Sequence, residues 1–214
     1  MAYLEEIKKY LKIVPLVFLV LANTLIWYAV FYFEARQNLI VTFLDVGQGD
    51  AIFIEQGLNQ ILVDGGPNDL VLSKLAKRMP FWDRSIDMLV LTHPEADHLN
   101  GLLEVLKRYD IKMVVETGVE HSLPQYKEWR ELIRGRGINV VTAQSEQRFF
   151  ISRGAELHIL SPFENYRGKS VAKVNNTSII SRLVYGNSSL LLTGDAEKLV
   201  EHRLLFEYGI PAQP

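Results

Sequence analysis

The chain has 214 residues, of which 48 % are hydrophobic and 22 % charged, and its formal net charge is −2. This composition supports a folded core and excludes an intrinsically disordered protein, while the charge excludes a histone-like basic nucleic-acid binder. Because the chain has no Cys, it has no disulfide, no thiolate metal site and no cysteine nucleophile.

The first predicted element is a membrane-spanning helix over residues 13–33, an apolar run without a charged side chain. At about 1.5 Å per residue, a run of this length covers the roughly 30 Å hydrocarbon core of a bilayer. It exceeds the roughly 7–15 apolar residues of a signal peptide, which favours an uncleaved anchor. Three lysines precede the run and Arg36 follows it closely. The positive-inside rule therefore predicts that residues 1–12 are cytoplasmic and that the remainder lies outside the cytoplasmic membrane.

After residue 38 the sequence predicts an α/β domain that extends over residues 39–214. Gly47-Gln48-Gly49 predicts a tight hairpin between the first two strands, and Gly186-Asn187 predicts another hairpin near the end. Alternation of these elements indicates a layered α/β domain with a mixed sheet. Apolar, β-branched runs predict strands at 39–46, 51–55, 60–66, 86–93, 112–118, 138–143, 148–152, 156–162, 178–186 and 188–195. Helical spacing predicts helices at 68–79, 97–109, 125–134 and 196–208, the third stopped by Gly135.

Chemistry-bearing residues gather where two of these strands end. Thr92-His93-Pro94-Glu95-Ala96-Asp97-His98 directly follows a buried apolar strand. Imidazole and carboxylate groups crowded into a strand-to-helix loop can converge on one cation, and strand ends are where open α/β sheets place their sites. Asp195 closes a second apolar strand, so its carboxylate could bridge or complete the metal site.

These residues resemble a known family. His93, Asp97 and His98 match an H-x-x-x-D-H form of the metallo-β-lactamase-fold signature. With FLDVGQGDAIFIE, ILVDGG, LTHPEADHLNGL, NNTS and LLLTGDAE in this order, residues 39–208 resemble the hydrolase domain of ComEC-type DNA-uptake proteins. The resemblance implies a four-layer αββα sandwich, built from two mixed sheets flanked by helices, with a metal site at one edge.

The resemblance also implies a ligand set and a reaction. Carried over residue by residue, the metal ligands are His93, Asp97, His98 and Asp195, which would hold one or two divalent ions, Mn²⁺ or Zn²⁺. Such an ion lowers the pKa of a bound water and neutralises charge on phosphate oxygens. The implied reaction is hydrolysis of a DNA phosphodiester during uptake. Asp97 could also orient or deprotonate the attacking water.

The glycine-rich turns hold further acidic residues near the expected site. Turn chemistry is the favoured interpretation of Asp45 and Asp64, because Asp is a common turn former. Asp50 is a second catalytic candidate, and a role in the turn is an equally favoured interpretation of this residue. Asn176 and Ser178 either face the substrate or simply begin a strand.

A cationic stretch supplies a candidate DNA contact. Beyond residue 36 the chain has 19 basic and 22 acidic residues, which argues against a large phosphate footprint. Lys169, beside Tyr166 and in a Gly-Lys-Ser segment, could nevertheless belong to a substrate loop. A solvated surface is the favoured interpretation of the stretch as a whole. Its basic residues are Arg148, Arg153, Arg167, Lys169, Lys173 and Arg182.

Two departures from the family pattern keep other functions open. Glu95 occupies the position where the fold commonly has a second histidine, and a carboxylate shifts preference toward manganese or magnesium. The family continues to a late histidine motif, so the chain is expected to be truncated at its C-terminus relative to that fold. His121, His158 and His202 are expected to be structural or exposed. The alternatives are a catalytically incompetent assembly module of a DNA-uptake apparatus, or a metallo-hydrolase of another substrate such as a lactam or thioester.

Overall fold

The computed structural model describes residues 2–35, 38–152 and 154–209. The chain divides into two compact units, the second of which begins at Leu39. The first unit contains helix α1 (Ala2–Ala35). Within α1, Ile13–Tyr32 has a mean hydropathy of 2.2 and is long and apolar enough to cross a membrane. This agrees with the predicted span, while Arg36, used above for the orientation, lies outside the described residues.

The second unit is built around a sheet in the order β1-β2-β3-β4-β5-β6. β1 to β3 pair antiparallel, whereas β3 to β6 run parallel, so the carboxyl ends of these parallel strands meet at one edge. The strands are β1 (Ile40–Phe43), β2 (Ile52–Gln56), β3 (Asn59–Val63), β4 (Ser85–Leu91), β5 (Asp110–Glu116) and β6 (Asn139–Thr142). The accompanying helices are α2 (Leu70–Arg78), α3 (Ala96–Arg108) and α4 (Pro124–Arg136).

A second sheet has the order β10-β9-β8-β7, and its described strands all pair antiparallel. A 3-10 turn at Val174–Thr177 precedes β9, and helix α5 (Lys198–Tyr208) follows β10. The strands are β7 (Arg148–Ser152), β8 (Ala155–Ser161), β9 (Ile180–Tyr185) and β10 (Ser188–Leu192).

The layers follow from the alternation of side chains along the buried strands. Phe53 of β2 belongs to the core between the first sheet and helices α2 to α4. Its neighbours Ile52 and Ile54 point the other way, into the core shared by the two sheets. Val200 and Leu204 of α5 cover the outer face of the second sheet. The predicted four-layer αββα arrangement is thereby confirmed.

Two turns differ from the sequence prediction. β1 and β2 pair from Phe43 opposite Ile52, so residues 44–51 form a longer loop than the tight hairpin expected. Helix α4 continues through Gly135 and ends at Gly137, whose φ is +65°. Only a residue in the left-handed region closes the helix in this way, and glycine adopts that region without strain.

The loop after β3 packs directly on α3 through glycines. Gly65 N donates a hydrogen bond to His98 O, and Gly101 N donates one to Gly66 O, both at 2.9 Å. A Cβ built at Gly101 would lie 1.8 Å from Gly65 O. This close approach fixes the distance between the end of β3 and the first turn of α3.

We expect Gly101→Ala to lower the free energy of unfolding by about 3 kcal/mol, since the added methyl group meets backbone that cannot move away. The matched control is Gly135→Ala, because a Cβ there meets nothing within 4 Å. That substitution should raise stability by about 0.5–1 kcal/mol, as expected for Gly to Ala inside a helix. Urea unfolding of both variants measures the difference, and equal midpoints would contradict the close packing.

Candidate metal centre

Two histidine rings face each other at the carboxyl edge of the first sheet. His93 follows β4, His98 lies in the first turn of α3, and their ring centroids are 4.2 Å apart. Both rings are buried. Neither Nε2 atom has a hydrogen-bond partner among the described residues. A buried imidazole nitrogen without a partner is a costly arrangement that coordination to a cation would resolve.

Asp195 completes a three-residue group with these histidines. It follows β10, and its Oδ1 lies 3.5 Å from His98 Nε2. One ligand atom from each of His93, His98 and Asp195 lies within 4.8 Å of the others. Two imidazoles and a carboxylate are a donor set that fits a divalent transition-metal ion. Three of the four ligands expected from the sequence are therefore brought together.

Asp97, the fourth expected ligand, has a different neighbour. Its Oδ2 accepts a hydrogen bond from Gln48 Nε2 at 3.0 Å. The loop carrying Gln48 lies close to α3, since a Cβ at Gly49 would be 2.0 Å from Asp97 O. Glu95 stands where the fold commonly has a second histidine, and its Oε2 lies 3.8 Å from His93 Nε2. Both carboxylates thus border the three-residue group without belonging to it.

Asp64 orients the site, although turn chemistry was the favoured interpretation of its role. It is fully buried and has a φ of +56°. Its Oδ1 accepts a hydrogen bond from Thr92 N at 2.9 Å, and its Oδ2 accepts one from Thr92 Oγ1 at 2.6 Å. Oδ2 also lies 2.8 Å from His98 Nδ1. Thr92 Oγ1 in turn lies 3.0 Å from His93 Nδ1. The Nδ1 atoms are therefore engaged by neighbouring side chains, which leaves each Nε2 for coordination.

The electrostatics of the two histidines differ. Burial opposes protonation of His98, but the hydrogen bond to Asp64 and the charges of Asp64 and Asp195 prevail and raise its pKa to about 9. Burial, reinforced by the charge of His98, lowers the pKa of His93. Because a metal-bound histidine is neutral, a cation must displace the proton of His98 in order to bind.

Asp45 and Asp50, in the loop between β1 and β2, have different surroundings. Burial raises the pKa of Asp50, and the charges of Asp64 and Asp195 raise it further while those of His98 and His93 lower it. Asp50 is thus within electrostatic reach of the whole group. Asp45 instead has a side chain 90 % exposed and pairs with Lys74 at 3.5 Å. The turn interpretation suits Asp45, whereas Asp50 remains a catalytic candidate.

The segment before β9 inserts beside the metal centre. Ile179 N donates a hydrogen bond to Thr92 O at 3.0 Å, and Ser178 lies against Gly194, next to Asp195. Ser178 Oγ and Asn176 Oδ1 are buried, and both lack a hydrogen-bond partner in the described part of the chain. A hydrogen bond from Asn176 also contributes to lowering the pKa of Glu197, after that from Lys173. Of the two residues, Ser178 is the one that lies beside the residue preceding Asp195, whereas the Asn176 side chain contacts Glu197 at the start of α5.

The remaining sequence candidates lie elsewhere. Lys169 is exposed and places Nζ 6.0 Å from the Tyr166 ring centroid, while Arg153 lies outside the described residues. His121 Nδ1 accepts a hydrogen bond from Leu123 N at 3.2 Å, His158 pairs with Glu156, and His202 is exposed. None of these three histidines belongs to the metal-centre group within residues 2–35, 38–152 and 154–209.

A comparison with known protein families gives the family of this chain. A family model described as a beta-lactamase superfamily domain matches residues 59–206, more than half of the chain. The chain belongs to this beta-lactamase superfamily. Membership agrees with the αββα layers and with a histidine and carboxylate group at one edge of the fold.

Curated relatives narrow the resemblance to competence proteins. The chain is 26 % identical over 183 residues to ComE operon protein 3 of Bacillus subtilis, which covers 77 % of this chain and 23 % of the relative. It is 31 % identical over 159 residues to Recombination protein 2 of Haemophilus influenzae, and this match covers 72 % of this chain and 18 % of the relative. It is 26 % identical to Competence protein ComA of Neisseria gonorrhoeae, covering 79 % and 21 %. The resemblance to ComEC-type domains is confirmed, and the chain spans about a fifth of the length of these relatives.

The chain is also similar to two solved structures at low sequence identity. CmlA, a diiron β-hydroxylase from Streptomyces venezuelae, is 18 % identical with a TM-score of 0.49, covering 79 % of this chain and 33 % of CmlA. The metallo-β-lactamase fold protein YhfI from Bacillus subtilis is 16 % identical with a TM-score of 0.47, covering 74 % and 60 %.

Proposed function

We propose that this chain is a membrane-anchored, metal-dependent phosphodiesterase that hydrolyses DNA in a competence-type uptake system. The observation that carries the proposal is the pair of buried, unpartnered Nε2 atoms of His93 and His98 beside Asp195. The similarity to competence proteins supports DNA as the substrate. The apolar span in α1 supports a membrane anchor. The three lysines before the span support a hydrolase domain outside the cytoplasmic membrane.

The residues of the site divide the chemical work. When bound, a divalent ion neutralises charge on phosphate oxygens and lowers the pKa of a water molecule. Asp64 and Thr92 engage the Nδ1 atoms of the two imidazoles, so that their Nε2 atoms would be free to hold the ion. Asp97, fixed by Gln48, is proposed to orient or deprotonate the attacking water, with Asp50 as a second carboxylate. Asn176 and Ser178 are proposed to contact the substrate, and Lys169 to attract its phosphates.

The donor set suits one or two ions of Mn²⁺ or Zn²⁺. Imidazole is a good ligand for zinc, whereas each added carboxylate favours a harder ion such as manganese. Asp97 and Glu95 border the group and would supply those carboxylates. We therefore place Mn²⁺ first and Zn²⁺ second among the ions to be tested.

We expect the chain in detergent micelles to cleave DNA only when a divalent ion is present. The measurement compares single-stranded and double-stranded DNA with added Mn²⁺, Zn²⁺ or Mg²⁺, followed by removal of the metal with EDTA and its restoration. Cleavage should disappear with the chelator and return with manganese, because the ion supplies both charge neutralisation and the activated water.

The same assay separates the competing functions. DNA binding without turnover by a folded, metal-loaded chain would contradict the proposal and favour an assembly module. Metal-dependent turnover of a lactam or a thioester, with DNA left intact, would replace the substrate while retaining the metal chemistry.

A further inference from the structure

A second polar cleft lies at the same edge of the first sheet as the metal centre. It is a cavity of about 260 Å³ between α4, the ends of β5 and β6, and the loop after β8. Three guanidinium groups line it, those of Arg130, Arg134 and Arg167, and so does the carboxyl group of Glu116. Ile133, Ile138 and Val140 form an apolar wall beside these charges.

The cleft is assembled by a backbone contact between two distant loops. Gly168 N donates a hydrogen bond to Gly118 O at 2.9 Å, and Glu120 N donates one to Lys169 O at 2.8 Å. Gly118 has a φ of +69°, and a Cβ there would lie 3.3 Å from Arg167 Cα. A side chain at position 118 would be strained and crowded, so glycine lets the cationic loop dock and brings Arg167 to the cleft.

Two of the three arginines that line the cleft have no carboxylate ion-pair partner in the described part of the chain. Arg130 lies 3.4 Å from Glu116 Oε1, and the other oxygen of Glu116 accepts a hydrogen bond from Trp129 Nε1 at 2.8 Å. Arg134 and Arg167 are exposed and form no ion pair with any described residue. Glu120 is the second carboxylate whose charge reaches this group. The three arginines face the two carboxylates of Glu116 and Glu120, so the cleft has an excess of one positive charge.

The strand register places this cleft beside the metal centre. Glu116 pairs with Leu91 of β4, two residues before His93, and with Thr142 of β6 on its other side. Adjacent strands are about 4.8 Å apart. A polymer whose reacting group sits at the metal centre would therefore reach the cleft within a few repeating units.

We propose that this cleft is a phosphate-binding subsite, in which Arg134 and Arg167 hold a phosphate group carried past the metal centre. The inference rests on the proposed function, since it assigns this phosphate to the nucleic-acid substrate or to its product. A guanidinium fork matches the oxygens of a phosphate in a bidentate manner. The apolar wall of Ile133 and Val140 suits the face of a sugar or base next to that phosphate.

The test measures binding without metal and without turnover. The full chain in micelles, with EDTA, is titrated against a fluorescent 12-nucleotide oligothymidylate, with inorganic phosphate and thymidine 5′-monophosphate as competitors. Arg134→Gln and Arg167→Gln should each weaken binding of the oligonucleotide about tenfold, as expected for a lost charged hydrogen bond. Each should also reduce the slope of log affinity against log salt by about 0.7.

Two further variants test the charge argument. Lys77→Gln is the charge-matched control, because Lys77 is exposed on α2 and has no ion-pair partner among the residues described. It should leave the affinity within about twofold, in the range of an isolated surface charge. Glu116→Gln keeps an acceptor for Trp129 but removes a negative charge, so it should increase the affinity.

The outcomes distinguish the source of the phosphate. Binding of the oligonucleotide alone supports an internal phosphate of a strand, whereas competition by inorganic phosphate or the monophosphate supports a terminal or released phosphate. Unchanged affinity in the Arg134→Gln, Arg167→Gln double variant overturns the subsite. Equal competition by an acidic peptide also overturns it, because the cleft would then select charge rather than phosphate. Loss of hydrolysis in the metal assay leaves these results unaffected, so the two proposals fail separately.

Discussion

Replacing His98 with alanine is expected to lower manganese affinity and metal-dependent DNA hydrolysis by more than about 100-fold. Loss of an outer partner of a metal ligand typically lowers affinity or activity by about 10–100-fold, and loss of the ligand itself should exceed that range. His98 Nε2 is buried and lies 3.5 Å from Asp195 Oδ1, so its loss removes one of the three donors that come together at this site. Calorimetric titration with Mn²⁺ measures the affinity, and cleavage of labelled DNA measures the rate.

The matched control is His202→Ala, which removes an exposed histidine from α5 and should leave both quantities unchanged. The His98 substitution also removes one hydrogen-bonding neighbour of the buried Asp64 carboxylate. Circular dichroism must therefore show that the variant is folded. A folded His98→Ala variant with parental manganese affinity would exclude His98 as a ligand.

The sequence predicted which residues form the metal centre better than it predicted the hydrogen bonds that hold them. The ends of two apolar strands drew attention to the segments at residues 92–98 and 193–195. The family resemblance then supplied the expected ligands within them, of which Asp97 lies outside the three-residue group. The role of Asp64 could not be predicted, because its partners Thr92 and His98 lie 28 and 34 positions away. The acidic residue directly after the apolar run Ile61-Leu62-Val63 was a local signal for a buried carboxylate, but it did not indicate which partners that carboxylate meets.

The arginine cleft is a second feature formed by residues far apart in the sequence, and the sequence did not predict it. A run of basic residues over 148–182 predicted a cationic surface, but that run does not contain Arg130 or Arg134 of α4, which line the cleft with Arg167. Arg167 lines the same cleft as Arg134 because the loop after β8 docks on Gly118 through a backbone hydrogen bond. Loop docking of this kind depends on backbone space at one glycine, which neither charge nor hydropathy encodes.

Replacing Asp64 with asparagine is expected to lower manganese affinity about 10–100-fold while preserving the shape of the site. The side-chain oxygen of the introduced amide can still accept the hydrogen bond from Thr92 N, as Oδ1 of Asp64 does now. The amide nitrogen would then take the position of Oδ2 and donate to His98 Nδ1. That hydrogen bond favours the tautomer with the proton on Nε2, which is the nitrogen that must bind the metal.

The pH dependence of stability supplies a second measurement in the metal-free protein. The pKa of His98 is raised from its ordinary value of 6.5 to about 9, so its stabilising contribution is full below pH 6.5. That contribution is lost as the pH rises through 9. In Asp64→Asn the carboxylate that holds the proton is gone, so the unfolding midpoint should lose most of this dependence between pH 6.5 and 9.

The control for Asp64→Asn is Asp45→Asn, which makes the same chemical change at a side chain that is 90 % exposed. A weak exposed ion pair with Lys74 contributes little, so this variant should keep the parental affinity and pH profile. A shift of the His98 pKa toward its ordinary value in the Asp64 variant alone, followed by NMR, would tie the effect to the carboxylate, and the ring-nitrogen chemical shifts would identify the tautomer. Parental manganese affinity together with an unshifted His98 pKa would show that Asp64 serves the turn alone, as the sequence interpretation favoured.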